Sequence, residues 1–434
     1  MEDTNKGTFR GITMKVLWLS NVPIPEASEI MNHEPVIGVS WLVGLSVELR
    51  KKVDLHICYP VYGLDSVHKG SGQGITFWAF PRSVRNGTKY EKTTKEYFIQ
   101  ILNDIKPDVI HIWGTEFPQT FSMIEACQAQ DYLDHTAISI QGLAKLCGDH
   151  YMAGLPFLIQ HAYNLKHLLK HDNLYAQQKM FYRRGRYETM ALESCKNVLG
   201  RTEWDYAYTK QINPKVRYFK HNETLRPAFY RNKWNYNSCE KHSIFMSQGG
   251  YPIKGMHFMI EALKIVKQQY TDVQFYVTGR NLLNIESIKD RLRLSAYEEY
   301  QIREIRNNGL EKNVHFLGSL NEEAMCEQYL KANVYVSASS IENESNSLSE
   351  AKIMGVPAVV SYVGGVSERI RHGVDGYLYQ YDAPDMLAYY ICKVFEKNNE
   401  IINISDMGIT TISEIVDPQK NLETLCEIYQ TLEK

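Results

Sequence analysis

Two carboxylates frame the stretch of this chain whose residue types could do chemistry. In Ile341-Glu342-Asn343-Glu344-Ser345-Asn346-Ser347-Leu348-Ser349-Glu350-Ala351-Lys352-Ile353-Met354-Gly355-Val356-Pro357, Glu342 and Glu350 stand on either side of a polar turn. The pattern predicts Glu342 at the end of a loop and Glu350 one turn into a helix. Between them the backbone turns and begins that helix, so N–H groups from Ser345, Asn346, Ser347 and Leu348 point into the space the carboxylates approach. That space suits a sugar joined to a diphosphate. Glu342 can accept hydrogen bonds from sugar hydroxyls, and the helix start offers partial positive charge to phosphate oxygens. Glu350 can hold a pair of vicinal ribose hydroxyls. A blander reading stands beside this one. Ser347-x-x-Glu350 is also a capping box, which does no more than start a helix, and Glu342 also reads as a solvated loop residue.

The flanking sequence narrows the choice. The helix stops at Gly355, Pro357 blocks its continuation, and Ala358-Val359-Val360-Ser361 reads as a buried strand. Gly364-Gly365 and then Gly373-Val374-Asp375-Gly376 follow. About ninety residues upstream, Ser247-Gln248-Gly249-Gly250-Tyr251-Pro252-Ile253-Lys254-Gly255 follows another strand. Lys254 then sits just before a helix, where a cation can neutralise a diphosphate leaving group; it also reads as a plain surface lysine.

Taken together, Glu-x7-Glu, Gly-Val-Pro, a Val-rich strand, Gly-Gly and Gly-x-x-Gly make the chain resemble family-4 glycosyltransferases. These are retaining enzymes of GT-B architecture, with two facing Rossmann-like domains. The motif block covers about 340–380, and weaker likeness runs from Met14 to the last helix. The resemblance implies catalytic roles for Glu342, Lys254 and Gln141, and donor contacts from Glu350, Ser345, Asn346, Ser347, Leu348, Gly249, Gly255 and Arg201. In the first domain, Val36-Ile37-Gly38-Val39-Ser40-Trp41-Leu42 is similar to the family's glycine-bearing loop, which would bring the backbone at Gly38 close to donor or acceptor. Three positions depart from the family pattern. Ser345 replaces a frequent glycine. Gly249 replaces an arginine that holds the diphosphate, which either weakens the site electrostatically or moves the second cation elsewhere, with Arg201 and Arg280 as the candidates. Gln141 stands where many members carry a histidine; it can bond a sugar hydroxyl but cannot act as a base. His111 and Glu116, flanking Trp113-Gly114-Thr115, are the candidates to substitute for that histidine, though His111 also reads as a core or rim residue, and Trp113 and Glu116 are expected at the acceptor cleft. There is no Asp-x-Asp, and the resemblance implies Lys, Arg and helix dipoles in place of a metal, with a nucleotide sugar as co-substrate and no other cofactor.

These residues need a scaffold. Strands are expected at 15–20, 53–58, 75–80, 109–113, 136–140, 196–199 and 216–219, separated by helical segments, which predicts a parallel, doubly wound sheet. Ligands bind beyond the carboxyl ends of such strands. The second half repeats the logic with strands at 243–246, 273–277, 314–318 and 333–337, a helix near 256–268 with Phe258, Met259, Ala262, Leu263 and Val266 on one side, and helical sequence near 281–312. The expected divisions are a disordered lead-in at 1–13, an acceptor domain at 14–225, a donor domain at 226–416 and a terminal helix at 417–434. Leu422, Leu425, Ile428, Tyr429 and Leu432 fall at helical spacing; the family likeness sends this helix back to the first domain, while an ordinary helix packed on its own domain is the alternative.

A chain of 434 residues carries two or three domains. Its 44% hydrophobic and 23% charged residues are those of a globular protein. A formal net charge of −2 argues against nucleic acid as the main partner. No apolar run is long enough to cross a bilayer, and the eight scattered cysteines, with no Cys-x-x-Cys pair, fit a reducing compartment such as the cytoplasm. Residues 161–186 carry Lys166, Lys170, Lys179, Arg183, Arg184 and Arg186 among leucines and aromatics. That stretch reads either as a peripheral contact with an anionic membrane or as a solvated helix face.

The leading functional reading is a retaining transferase moving a sugar from a nucleotide-diphosphate sugar to a hydroxyl of a glycan or lipid-linked glycan. A nucleotide-sugar isomerase on the same fold and a catalytically silent nucleotide- or glycan-binding partner are the alternatives.

Overall fold

The computed structural model describes residues 14–33, 40–83, 87–161, 173–285, 287–396 and 399–433. The lead-in at 1–13, Gly38 and residues 162–172 of the basic stretch lie outside the described residues.

Apolar, β-branched runs build two sheets. The first contains β1 (Lys15–Leu19), β2 (Asp54–Tyr62), β3 (His68–Gly72), β4 (Ile75–Arg82), β5 (Val109–Trp113), β6 (Thr136–Ser139), β7 (Asn197–Gly200) and β8 (Arg217–Lys220), in the order β3-β4-β2-β1-β5-β6-β7-β8. The second contains β9 (Ser243–Met246), β10 (Gln274–Val277), β11 (Val314–Phe316), β12 (Val334–Ser337), β13 (Ala358–Ser361) and β14 (Tyr377–Tyr379), in the order β11-β10-β9-β12-β13-β14. The expected α/β fold of two parallel, doubly wound sheets is therefore present. One strand departs from it: β3 pairs antiparallel with β4. Its sequence His-Lys-Gly-Ser-Gly has no apolar run, so it escapes a search for buried strands. The turn at Gln73-Gly74 has both φ values positive, as a tight hairpin requires.

The helix Pro418–Glu433 returns to the first sheet, and Leu422, Leu425, Ile428, Tyr429 and Leu432 bury against β1, β2 and their neighbours. A buried polar chain fixes its register. Trp18 Nε1 donates to Tyr429 Oη at 2.8 Å. The same hydroxyl lies 2.6 Å from His111 Nδ1. His111 Nε2 in turn is hydrogen-bonded to Ser139 Oγ at 2.7 Å. Burial pushes the His111 pKa well below the ordinary value and keeps the ring neutral. His111 is a core residue beneath the returning helix.

A second strap runs the other way. After β6, the chain forms the helices Ala144–His150 and Phe157–Gln160, and Tyr151, Leu155 and Ile159 join the core of the second sheet. His257 Nε2 donates to Ala153 O at 3.0 Å, and Ser340 Oγ donates to His150 O at 3.2 Å. The strap roofs the space between the carboxyl ends of the two sheets.

Candidate active site between the two sheets

The site begins with a short turn. Pro252 opens a single 3-10 turn, Pro252–Lys254, ahead of the helix Met256–Gln269. Gly255 joins the two at φ +73°, and a Cβ there would lie 1.7 Å from Ala338 O, so only glycine fits. This sets the Lys254 Nζ 2.8 Å from Glu342 Oε2. Burial works against the charge on Lys254, but the Glu342 carboxylate outweighs it and holds the lysine pKa up. Ser339 Oγ donates to the same Glu342 oxygen at 3.2 Å. The Gly-Gly element fixes the Glu342 loop from behind: Gly365 N donates to Glu342 O at 3.2 Å, and a Cβ on Gly364 (φ +51°) would sit 1.9 Å from that oxygen.

The helix Asn346–Met354 starts beside this pair. Its cap is Ser345, whose hydroxyl accepts from Leu348 N at 3.2 Å. The capping-box reading of Ser347-x-x-Glu350 is thereby corrected: Ser347 lies inside the first turn. The Leu348 amide is already used by the cap. The amides of Asn346 and Ser347 come too early in the helix to have an intrahelical acceptor. They adjoin a narrow niche lined by Gln248, Lys254, Tyr335, Glu342, Ser345 and Ser347. Glu350 lies a turn further on. Arg226 Nη2 donates to its Oε1 at 2.9 Å, and the Tyr329 hydroxyl to its Oε2 at 3.1 Å. Burial pushes its carboxyl pKa up against the pull of Arg226.

On the other side of the Lys254–Glu342 pair lies a 450 Å³ cavity whose polar wall is Glu116, Gln141, Arg184, Lys254, Glu342 and Asn343. Glu116 and Gln141 therefore come from the first sheet to the same space as Lys254 and Glu342 from the second. Burial also raises the Glu116 pKa, opposed in part by Arg184 and Arg201.

Two expectations are corrected here. Trp113 is 2% exposed and packs on Trp18 and His111, with centroids 5.2 and 3.9 Å away; it belongs to the core and not to an acceptor cleft. The alternation of β5 explains this, since positions 111 and 113 share one face, and that face is covered by the returning helix. Arg201 is not a spare cation for a diphosphate. It is 3% exposed and forms ion pairs with Glu223 (2.9 Å) and Glu344 (2.8 Å). Its Nη2 donates to Gln141 O at 3.0 Å, which anchors the Gln141 loop. Burial opposes its charge, and Glu223 and Glu344 more than restore it. Arg369 adds a second cation, 2.6 Å from Glu344. The Asn346 side chain is also committed, donating to Glu223 at 2.8 Å. The other proposed cation, Arg280, pairs with Asp290. Gly249 leaves no space for the missing arginine, because a Cβ there would approach Val277 Cγ2 to 2.8 Å.

Sequence reasoning passed over Glu344, Arg226, Arg184 and Glu188. Glu344 lies inside the acidic motif, but nothing in its type separates a welded carboxylate from a working one. Arg184 and Glu188 are four residues apart on the helix Leu174–Ser194, a spacing that puts both on one face. Arg183 and Arg186 stay exposed while Arg184 turns to the cavity. Glu188 is buried and accepts from the Ala144 amide at 2.9 Å and the Thr115 hydroxyl at 2.8 Å, capping the strap helix. Burial raises its pKa to about 7.

Residues 228–407 match the sequence model of the family described as Glycosyl transferases group 1. The matched segment holds Lys254, Glu342 and Glu350, and the described residues have the GT-B fold. Sucrose-phosphate synthase from Thermosynechococcus elongatus superposes with a TM-score of 0.69 at 14% identity, covering 96% of this chain and 99% of that one. HepE of Anabaena, solved in complex with UDP and glucose, gives a TM-score of 0.65 at 14% identity, with 96% and 99% covered. In sequence, an uncharacterized glycosyltransferase of Methanocaldococcus jannaschii is 27% identical over 165 residues, 38% of each chain. The alignments span only a little over a third of the length of the curated relatives, 38% and 34%. Among the described residues no helix is long and apolar enough to cross a membrane.

Proposed function

We propose that the chain transfers a sugar from a nucleoside-diphosphate sugar to a hydroxyl of a glycan or lipid-linked glycan, with retention at the anomeric carbon and without a metal. The observation that carries this reading is the Lys254–Glu342 pair, 2.8 Å apart, at the junction of a hydroxyl-lined niche and a roofed cavity. The diphosphate lies in the niche, where Lys254 and the amides of Asn346 and Ser347 meet its charge. Fixed donors of this kind act on the charge that develops as the diphosphate leaves. Glu342 orients the sugar hydroxyls and steadies positive charge at the ring. Glu350, held by Arg226 and Tyr329, keeps lone pairs for the ribose hydroxyls. The acceptor enters from the cavity, beside Gln141 and Glu116.

In the transfer, the bond from the anomeric carbon to the diphosphate oxygen breaks. The acceptor oxygen bonds to that carbon from the same face, and its proton passes to the departing diphosphate. The UDP complex of the structurally similar HepE supports uridine diphosphate as the first nucleotide to try. Thermal stabilisation by a panel of nucleotide sugars tests the reading, since a ligand at about 100 times its Kd adds about 2.7 kcal/mol. A shift with at least one sugar nucleotide is expected, and a panel without any shift contradicts it.

A further inference from the structure

The buried cations at and around the interface of the two sheets pair with carboxylates: Arg201 with Glu223 and Glu344, Arg226 with Glu350, Lys254 with Glu342, Lys352 with Asp375. Arg184 has no such partner among the described residues. It lines the cavity, and its one hydrogen bond among the described residues runs from Nε to the backbone oxygen of Glu116, at 2.6 Å. The guanidinium is clamped between two rings, 4.5 Å from the Phe117 centroid and 5.0 Å from the Phe181 centroid. Behind it, Gly185 lets the helix press on the strap: a Cβ there would lie 2.7 Å from Lys145 Cα. With Nε engaged and the plane fixed, the two terminal nitrogens remain as a rigid fork of donors. Such a fork suits the paired oxygens of a phosphate or carboxylate.

The charge around it points the same way. Lys254 and Glu342 cancel, and the Glu116 carboxyl makes no ion pair with Arg184 among the described residues. Arg184 therefore faces the cavity without a salt-bridged carboxylate among the described residues. The residue comes from the first sheet's side of the cleft, opposite the helix start that faces the niche. We infer that Arg184 is the specificity residue for the acceptor, and that the acceptor is a sugar carrying an oxoanion, either a phosphate ester or a carboxylate. This rests on the transferase reading above and adds the chemistry of its second substrate. The phosphate could belong to a soluble sugar phosphate or to a lipid-linked one.

The test uses the full chain with whichever nucleotide sugar it hydrolyses. Acceptors are a hexose, its 6-phosphate, the matching hexuronate, and a polyprenyl-diphosphate-linked hexose in detergent. One anionic acceptor should exceed the neutral hexose in kcat/KM, and Arg184→Gln should erase that preference, raising the KM for the anionic acceptor about 10- to 100-fold. Arg184→Lys, with charge but no fork, should fall between. Soluble and lipid-linked phosphates are separated by which of the two acceptors is used. A structural role alone would lower kcat for all acceptors together. Equal use of neutral and anionic acceptors by the unaltered chain, or a preference that survives Arg184→Gln, overturns the inference. Calorimetric titration of the hexose 6-phosphate and hexuronate without donor keeps the two readings apart. Arg184-dependent binding with no donor turnover would sink the transferase reading and leave the anion site standing; binding indifferent to Arg184→Gln would sink the site.

Discussion

Glu342 and Glu344 lie two residues apart in one acidic motif and have opposite fates. Glu342 faces a single lysine at the edge of a cavity, with the paired side chains 16% and 18% exposed. Glu344 is 2% exposed and sits between Arg201 and Arg369 in a knot that also ties in Glu223. The first pair has open space on both sides and can exchange partners with a ligand. The second has none, and joins the first sheet's Arg201 loop to the second sheet's motif. Residue type and spacing do not separate them; burial and the number of opposing charges do.

The sharpest way to break that contrast is to remove a cation from the closed knot. Arg201→Leu leaves Glu223 and Glu344 buried with less compensation, and chemical denaturation should register a loss of about 3–5 kcal/mol. A change within experimental error would mean the knot is not structural. The open pair should respond in the other currency. Glu342→Gln should lower turnover by a factor on the order of 10²–10³ while the melting temperature moves far less than in Arg201→Leu. A large loss of stability with turnover preserved would reverse the assignment of the two carboxylates.

Glu188 extends the comparison to pH. Its carboxyl pKa is raised to about 7 from an ordinary 4.5. It therefore binds more protons folded than unfolded across that range, and its contribution to stability must fall as pH rises from about 4.5 to about 7, then level off. Glu188→Gln keeps an acceptor for the Ala144 amide and should flatten that part of the stability–pH curve. An unchanged slope would show that other groups produce it. The smallest effect belongs to the helix start: Ser345→Ala should cost about 1 kcal/mol of stability by losing the Leu348 cap, and Ser347→Ala much less. Equal losses would return the cap to dispute.

The scaffold was readable because its strands are short, apolar and bounded by turns. It failed at β3, where glycines and a lysine replace the apolar run, and at β14, whose three residues follow the Gly-x-x-Gly turn. The placement of Lys254 beside Glu342 followed from strand ends and helix starts, which sequence marks well. Arg201 and Trp113 were misplaced because their strand positions are visible in sequence but their covers are not. The Arg201 cover comes from Glu344, 143 residues away, and that of Trp113 includes the terminal helix. Arg184 was lost in a run of basic residues, since only packing against Phe117 and Phe181 tells it from Arg183.

The most direct measurement is release of free nucleoside diphosphate from a panel of nucleotide sugars, by the unaltered chain and by Lys254→Ala. The account predicts release from at least one sugar nucleotide, and a fall on the order of 10²–10³ when the ammonium at the niche is removed. No release from any of them, or equal release by both proteins, would contradict it.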